Sequence, residues 1–183
     1  SNELGRALTQ IYSGGHLFNE IDSRAVFSRE DIVDFALELL GKAKKLDDAI
    51  FLLLARIGSQ FGLDRVSIVE TDPDFLNYHY SYQWCRYRSD NQMGQEFYYT
   101  QEMFAELAEL YDDDGICGIV INDKSLMKSS IHSAIWNQGR YAGALVWETR
   151  QEEYSWSAEE RGALKELTKL ISSYILQARA DAL

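Results

Sequence analysis

The sequence predicts an α+β domain in which helices flank one central antiparallel sheet of five to six strands. Apolar residues recur at helical spacing near both ends, which predicts long N- and C-terminal helices. Between about residues 64 and 148 the period changes to two, and short turns join most of the alternating segments, as in hairpins. The predicted order is helix, helix, strand, strand, helix, strand, strand, strand, helix.

Charge and cysteine content exclude several classes of protein. The 183 residues carry a formal net charge of −11, so no broad basic face is available for nucleic acid or an anionic membrane. No apolar run reaches the roughly 18 residues needed to span a bilayer. Only Cys85 and Cys117 could form a disulfide, which argues against a secreted disulfide framework. We therefore expect a soluble cytoplasmic domain.

Two helices open the domain proper, after an N-terminal extension or linker at 1–27. Ser28 and Asp31 resemble a capping box, and apolar residues then follow a helical stripe to about residue 45. Asp47 is predicted to cap the second helix, which Gly62 ends.

The first two strands form a predicted hairpin. Residues 66–69 indicate a largely buried strand, and Asp72-Pro73-Asp74 supplies the turn. In the second strand a period of two puts four aromatic residues on one face: Tyr78, Tyr80, Tyr82 and Trp84.

The second half contains a helix, three strands and the final helix. Thr100 is predicted to cap the third helix, and strands follow at 116–121, 129–136 and 140–148. Ser157 and Glu160 form a capping box for the last helix. Its apolar residues have coiled-coil spacing: Leu164, Leu167, Ile171, Tyr174 and Ala178. We expect a homodimer through helices at 28–45 and 157–181; alternatively, these apolar residues cover the sheet.

The stretch 129–147 resembles the closing hairpin of GAF domains. Ala142-Gly143-Ala144-Leu145 is similar to the glycine-containing strand of that family, and residues 154–160 resemble the entry to its last helix. The segment 61–68 fits the approach to the first strand, so the resemblance covers a core of about residues 46–177, within a GAF-like domain at 28–183.

The resemblance implies a non-catalytic ligand-sensing or dimerisation module of a bacterial multidomain signalling protein. Such a module regulates an attached output domain, for example a histidine kinase or a diguanylate cyclase. GAF domains have six strands, so a short sixth strand is expected within 86–99.

The resemblance also implies a small-molecule pocket between the sheet and the helix that crosses it. The ligand stays open, and so does the alternative that the aromatic residues are simply core. The expected lining combines alternate strand residues with one helix face: Ser67, Val69, Tyr80, Tyr82, Trp84, Met103, Phe104, Leu107, Ile131, Ser133 and Ile135.

Two alternative functions remain open. Gly115-Ile116-Cys117-Gly118 resembles a segment of free-methionine-sulfoxide reductases, which use a GAF fold and a thiolate nucleophile. No cysteine follows Cys117 to resolve the intermediate, and acids at 112–114 would raise its pKa. A PAS-type sensor is the other alternative. The histidines and cysteines lack paired metal-ligand spacing, so no metal is expected.

Overall fold

The computed structural model describes residues 29–72, 74, 76–120 and 126–183. The predicted extension at 1–27 and the Ser28 cap lie outside these ranges. The described helices are α1 (Arg29–Lys42), α2 (Leu46–Phe61), α3 (Gln101–Glu109) and α4 (Ala158–Asp181). The described strands are β1 (Arg65–Asp72), β2 (Asn77–Cys85), β3 (Glu96–Tyr98), β4 (Ile116–Val120), β5 (Ser129–Asn137) and β6 (Arg140–Thr149).

The six strands form one antiparallel sheet in the order β3-β2-β1-β6-β5-β4. The short strand β3 pairs with β2 at one edge, which confirms the expectation of a sixth strand within 86–99. The predicted fold class is therefore confirmed.

One face of the sheet, called here the helix face, packs against α2 and α4, and α1 packs on these two helices. Its central residues are Ile68, Leu145 and Trp147, which share a core with apolar side chains of all three helices. The opposite face, called the distal face, carries a smaller cluster centred on Val69, Ala144 and Val146. The two clusters arise because successive strand residues point to opposite sides of the sheet.

Among the described residues, two of the three predicted N-terminal helix caps are confirmed and one is wrong. Thr100 accepts a hydrogen bond from the Met103 backbone N–H, and Ser157 forms the full capping box with Glu160. The prediction for Asp47 is wrong: α2 begins at Leu46, and the carboxylate of Asp47 instead accepts a hydrogen bond from the Tyr82 hydroxyl.

A β-bulge divides the aromatic residues of β2 between the two faces. Val69 pairs with Tyr80, whereas Ile68 pairs with Tyr82, so Ser81 is an extra residue between them. Tyr82 consequently joins the main core, while Tyr80 packs on the distal cluster. The prediction of one wholly aromatic face is therefore wrong.

The apolar stripe of α4 serves the core of its own chain. Leu164, Leu167 and Ile171 are buried against the sheet and α1. The coiled-coil spacing is thus explained by intramolecular packing, and these three side chains are not exposed to a partner.

Candidate functional site

The candidate site is the cleft between the distal face and α3. Thr100 caps α3 two residues after the end of β3, and no residue of this helix belongs to the main core. Its inner side contributes Phe104 and Leu107, yet no residue of α3 is buried. The Phe104 ring lies 5.7 Å from that of Tyr99, which lies 5.6 Å from that of Tyr78.

Tyrosine hydroxyls supply polar groups within this aromatic lining. The hydroxyls of Tyr111 and Tyr141 are hydrogen-bonded at 2.9 Å, and their rings are 5.4 Å apart. Burial raises the pKa of both phenols and raises the pKa of Tyr80 to about 12. These phenols are neutral near pH 7, so each can donate or accept a hydrogen bond.

An ion-pair network lies at one end of the distal face. The Arg65 guanidinium donates to both carboxylate oxygens of Glu148 and to the backbone carbonyl of Asp90. The Asp90 carboxylate accepts a hydrogen bond of 2.6 Å from Arg150. The network holds the segment that follows β2 against the sheet.

His132 lies on β5 with its side chain on the distal side. Its Nε2 is 3.1 Å from the hydroxyl of Ser130, two residues earlier on the same strand. Burial lowers the pKa of His132 to about 4, so the imidazole is neutral near pH 7. It offers a hydrogen-bonding group without a charge.

Six of the sequence-predicted lining residues lie on the distal face or on α3, and Met103 among them faces solvent. Ser67, Val69 and Tyr80 lie on the distal face, and Met103, Phe104 and Leu107 lie on α3. Within this group, the Ser67 hydroxyl already accepts a hydrogen bond from Gln83, and the Met103 side chain is 42% exposed to solvent.

The other five predicted lining residues lie on the helix face and do not reach this cleft. Because Ser81 is an extra residue, Tyr82 and Trp84 point to the opposite face of the sheet from Tyr80. On β5, the alternation of side chains places Ile131 and Ile135 in the main core. The five residues are Tyr82, Trp84, Ile131, Ser133 and Ile135.

Tyr99, Tyr111, Tyr141 and His132 were not predicted to lie near the site. Tyr99 immediately precedes the Thr100 cap, so its ring lies beside the first turns of α3 and contacts Phe104. Tyr111 follows α3 and is paired with Tyr141 on β6, a contact between residues 30 apart in sequence. His132 and Ile131 are neighbours on β5 and therefore point to opposite faces of the sheet. The alternation is visible in the sequence, but Ile131, rather than His132, was predicted to lie on the pocket side.

The two cysteines do not form a reactive pair. Cys85 lies on β2 and Cys117 on β4, four inter-strand steps apart, which corresponds to about 19 Å. Both thiols are free, and burial raises the pKa of each, to about 11 for Cys85. Asp112 further raises the pKa of Cys117, in the direction that the sequence predicted.

The described residues contain neither a metal-binding cluster nor a membrane-spanning helix. In residues 29–72, 74, 76–120 and 126–183, no three His, Cys, Asp or Glu side chains are grouped so that they could hold a metal ion. Within the same ranges, every helix is too short or too polar to cross a membrane.

No family model and no curated protein sequence matches the chain. Solved structures do match. The GAF domain of a phosphoenolpyruvate-protein phosphotransferase from Coxiella burnetii superimposes with a TM-score of 0.69 at 15% identity, over 90% of this chain and 99% of that one. The phycocyanobilin-bound GAF domain of a cyanobacterial phytochrome gives 0.67 at 18% identity, over 85% and 97%.

An enzyme also has this architecture. Free methionine-R-sulfoxide reductase from Neisseria meningitidis, in complex with its substrate, gives a TM-score of 0.62 at 12% identity, over 91% of this chain and 96% of that one. At these identities the similarity concerns architecture rather than activity. Taken with the strand order and the helices on one face of the sheet, it shows that this chain has the GAF fold.

Proposed function

We propose that this domain is a non-catalytic sensor that binds a small molecule in the distal cleft. One observation carries the proposal: α3 has an apolar inner side and lies beside the aromatic part of the distal face, yet none of its residues is buried. A helix that simply completed a core would bury that side. Because α3 packs loosely beside these aromatic side chains, a guest molecule can enter between the helix and the sheet.

The lining indicates the chemistry of the guest. Val69, Tyr80, Tyr99, Phe104 and Leu107 present apolar surface, and neutral phenols add hydrogen-bonding groups. Aromatic rings favour flat ligands that stack on them or meet their edges. We therefore propose a mainly apolar, ring-containing ligand with a few polar atoms.

We further propose that the domain regulates an output domain in a bacterial cytoplasmic protein, such as a histidine kinase or a diguanylate cyclase. The phosphotransferase from Coxiella burnetii provides an example of this fold as one domain of a larger protein. The two free thiols support a reducing compartment.

We also propose that the domain forms homodimers through α1 and α2. A groove of about 610 Å³ between these helices has apolar side chains, including Phe35, Leu39 and Leu52. Its rim carries Lys44 and Lys45 beside Asp48, so a two-fold axis would pair unlike charges across the interface. We propose this surface instead of the apolar stripe of α4 as the dimer contact, because the central residues of that stripe are buried within their own chain.

Native mass spectrometry of freshly purified protein tests ligand binding and subunit number together. We expect a mass excess from a retained small molecule, and we expect Phe104→Ala to lose it because the inner wall of the cleft is removed. Met103→Ala, a solvent-facing change on the same helix, should retain it. A mass equal to the bare chain in every preparation, with no binding of the dye 8-anilinonaphthalene-1-sulfonate, would contradict the sensor proposal.

The dimer has a separate test by light scattering. The double variant Lys44→Glu and Lys45→Glu should shift the mass towards the monomer, whereas Arg140→Glu, an exposed change at the β5–β6 turn, should not. A monomeric wild-type protein would contradict this part.

A further inference from the structure

A second cavity, of about 440 Å³, lies on the helix face of the sheet. The turn between α3 and β4 forms one wall with Asp113 and Asp114, and α4 forms the other with Lys165 and Lys169. Ser133 of β5 lies between the two walls. The sheet separates this cavity from the distal cleft, so it is a different site.

Four charged side chains line the cavity, and two of them form an ion pair with each other. Lys165 and Asp114 form an ion pair of 2.8 Å, which joins α4 to the turn. Across the described ranges, Asp113 and Lys169 form no ion pair. Asp113 and Lys169 are both exposed at the rim of the cavity, and Lys169 also contributes to the lowered pKa of Asp114. The cavity therefore presents one carboxylate and one ammonium, each outside a direct ion pair, at its rim.

Two uncharged donors line the same space. Ser133 is only 3% exposed, and it lines the cavity. Its hydroxyl can donate one hydrogen bond to a guest in the cavity or accept one from it. Trp136 presents its indole N–H beside Gly115: a Cβ at that glycine would lie 3.8 Å from Nε1.

We infer that this cavity binds a small zwitterion, such as a free amino acid. The ligand carboxylate faces the Lys169 ammonium and the Trp136 indole N–H, and the ligand ammonium faces the Asp113 carboxylate. A simple anion would meet the unpaired Asp113, and a simple cation would meet the unpaired Lys169. A molecule that carries both charges matches both groups.

The position of the cavity connects it to other parts of the domain. Trp136 lines it and also packs against Tyr111 and Tyr141 of the distal face, with ring centroids 6.4 and 5.8 Å away. A zwitterion bound here therefore contacts α4 directly and reaches the distal cleft through one indole ring. If the two sites favour different arrangements of that ring, each ligand alters the affinity for the other by the same factor.

The test is a titration of the protein with each standard L-amino acid, followed by NMR of the indole N–H groups. The chain has four tryptophans, and Trp136→Phe assigns the resonance of interest. We expect at least one amino acid to shift the Trp136 signal saturably, with a Kd of about 1 mM or tighter. Sodium acetate and ethylammonium chloride, which each carry one of the two charges, should not.

Matched variants locate the binding. Lys169→Met and Asp113→Asn should each weaken the affinity about tenfold or more, because each removes a charged hydrogen bond. Lys44→Met and Asp34→Asn, which are exposed changes on or next to α1, should leave the affinity unchanged. Phe104→Ala should also leave it unchanged, which separates this site from the distal cleft.

Three results would overturn the inference. The first is that no amino acid shifts the Trp136 resonance. The second is that acetate alone reproduces the shift, and the third is that Asp113→Asn binds as tightly as the wild type.

Discussion

Arg65 and Glu148 form a two-bonded ion pair on the distal face, with N–O distances of 2.8 and 2.9 Å and side chains that are each 8% exposed. They are direct partners in the β1–β6 ladder. Arg65 also donates to the Asp90 backbone carbonyl at 2.8 Å, so the pair holds the segment after β2 in place beside the cleft.

Glu148→Gln should destabilise the domain by about 3–5 kcal/mol, because it leaves the buried Arg65 guanidinium without its carboxylate. Urea unfolding measures the change in free energy. Glu38→Gln is the control, since Glu38 pairs with Lys42 on an exposed helix surface, where solvent screens the pair and its loss should change stability far less. Equal effects of the two substitutions would show that burial of the Arg65 pair has no special role.

Gly58→Ala should destabilise the domain by about 1–3 kcal/mol, although alanine is the better helix former. A methyl group at this position of α2 would overlap the indole ring of Trp84. Gly41→Ala is the matched control on α1, where the new methyl group would lie 3.8 Å from the Tyr174 hydroxyl. The control should stabilise by about 0.5–1 kcal/mol in thermal or urea unfolding. A stabilising Gly58→Ala would contradict the packing of Trp84 on α2.

His132 should make the domain less stable as the pH falls from 6.5 to about 4. Burial lowers the imidazole pKa in the folded state, so the unfolded chain takes up the proton first and is favoured in this range. The contribution is fully present above pH 6.5, and about 3 kcal/mol is lost by pH 4. His132→Gln should flatten this part of the stability profile. Parallel profiles for the two proteins would show that the imidazole is not buried.

Cys85 and Cys117 should both react slowly with Ellman's reagent near neutral pH, because burial raises each thiol pKa. The rates should be below that of glutathione at about pH 8 and should still rise towards about pH 10. Cys85→Ser and Cys117→Ser assign the two phases. A fast phase that Cys117→Ser removes, together with loss of methionine sulfoxide reduction in that variant, would establish a thiol enzyme instead of a sensor.

Element types and most caps could be predicted because they depend on short-range patterns. Thr100 and Ser157 each bond a backbone N–H three residues later, which is visible in the sequence. The face on which a strand residue lies depends on the whole ladder instead. The single extra residue Ser81 places Tyr80 and Tyr82 on opposite faces, and no local pattern marks that bulge.

The function of the α4 stripe was ambiguous for a related physical reason. Steps of three and four residues put side chains on one helix face, whether that face meets a partner helix or the sheet of the same chain. Leu164 and Leu167 follow the pattern and are buried within their own chain. Only the three-dimensional packing distinguishes the two cases.

Helix α4 has polar attachments at two separate points. Lys165 bonds Asp114, and Arg179 bonds the Glu70 carboxylate of β1. The 14 residue steps from Lys165 to Arg179 correspond to about 21 Å along a helix that packs on the core. Charge pairs therefore hold α4 near both of its ends, against the turn before β4 and against β1, while its apolar side chains pack on the core between them.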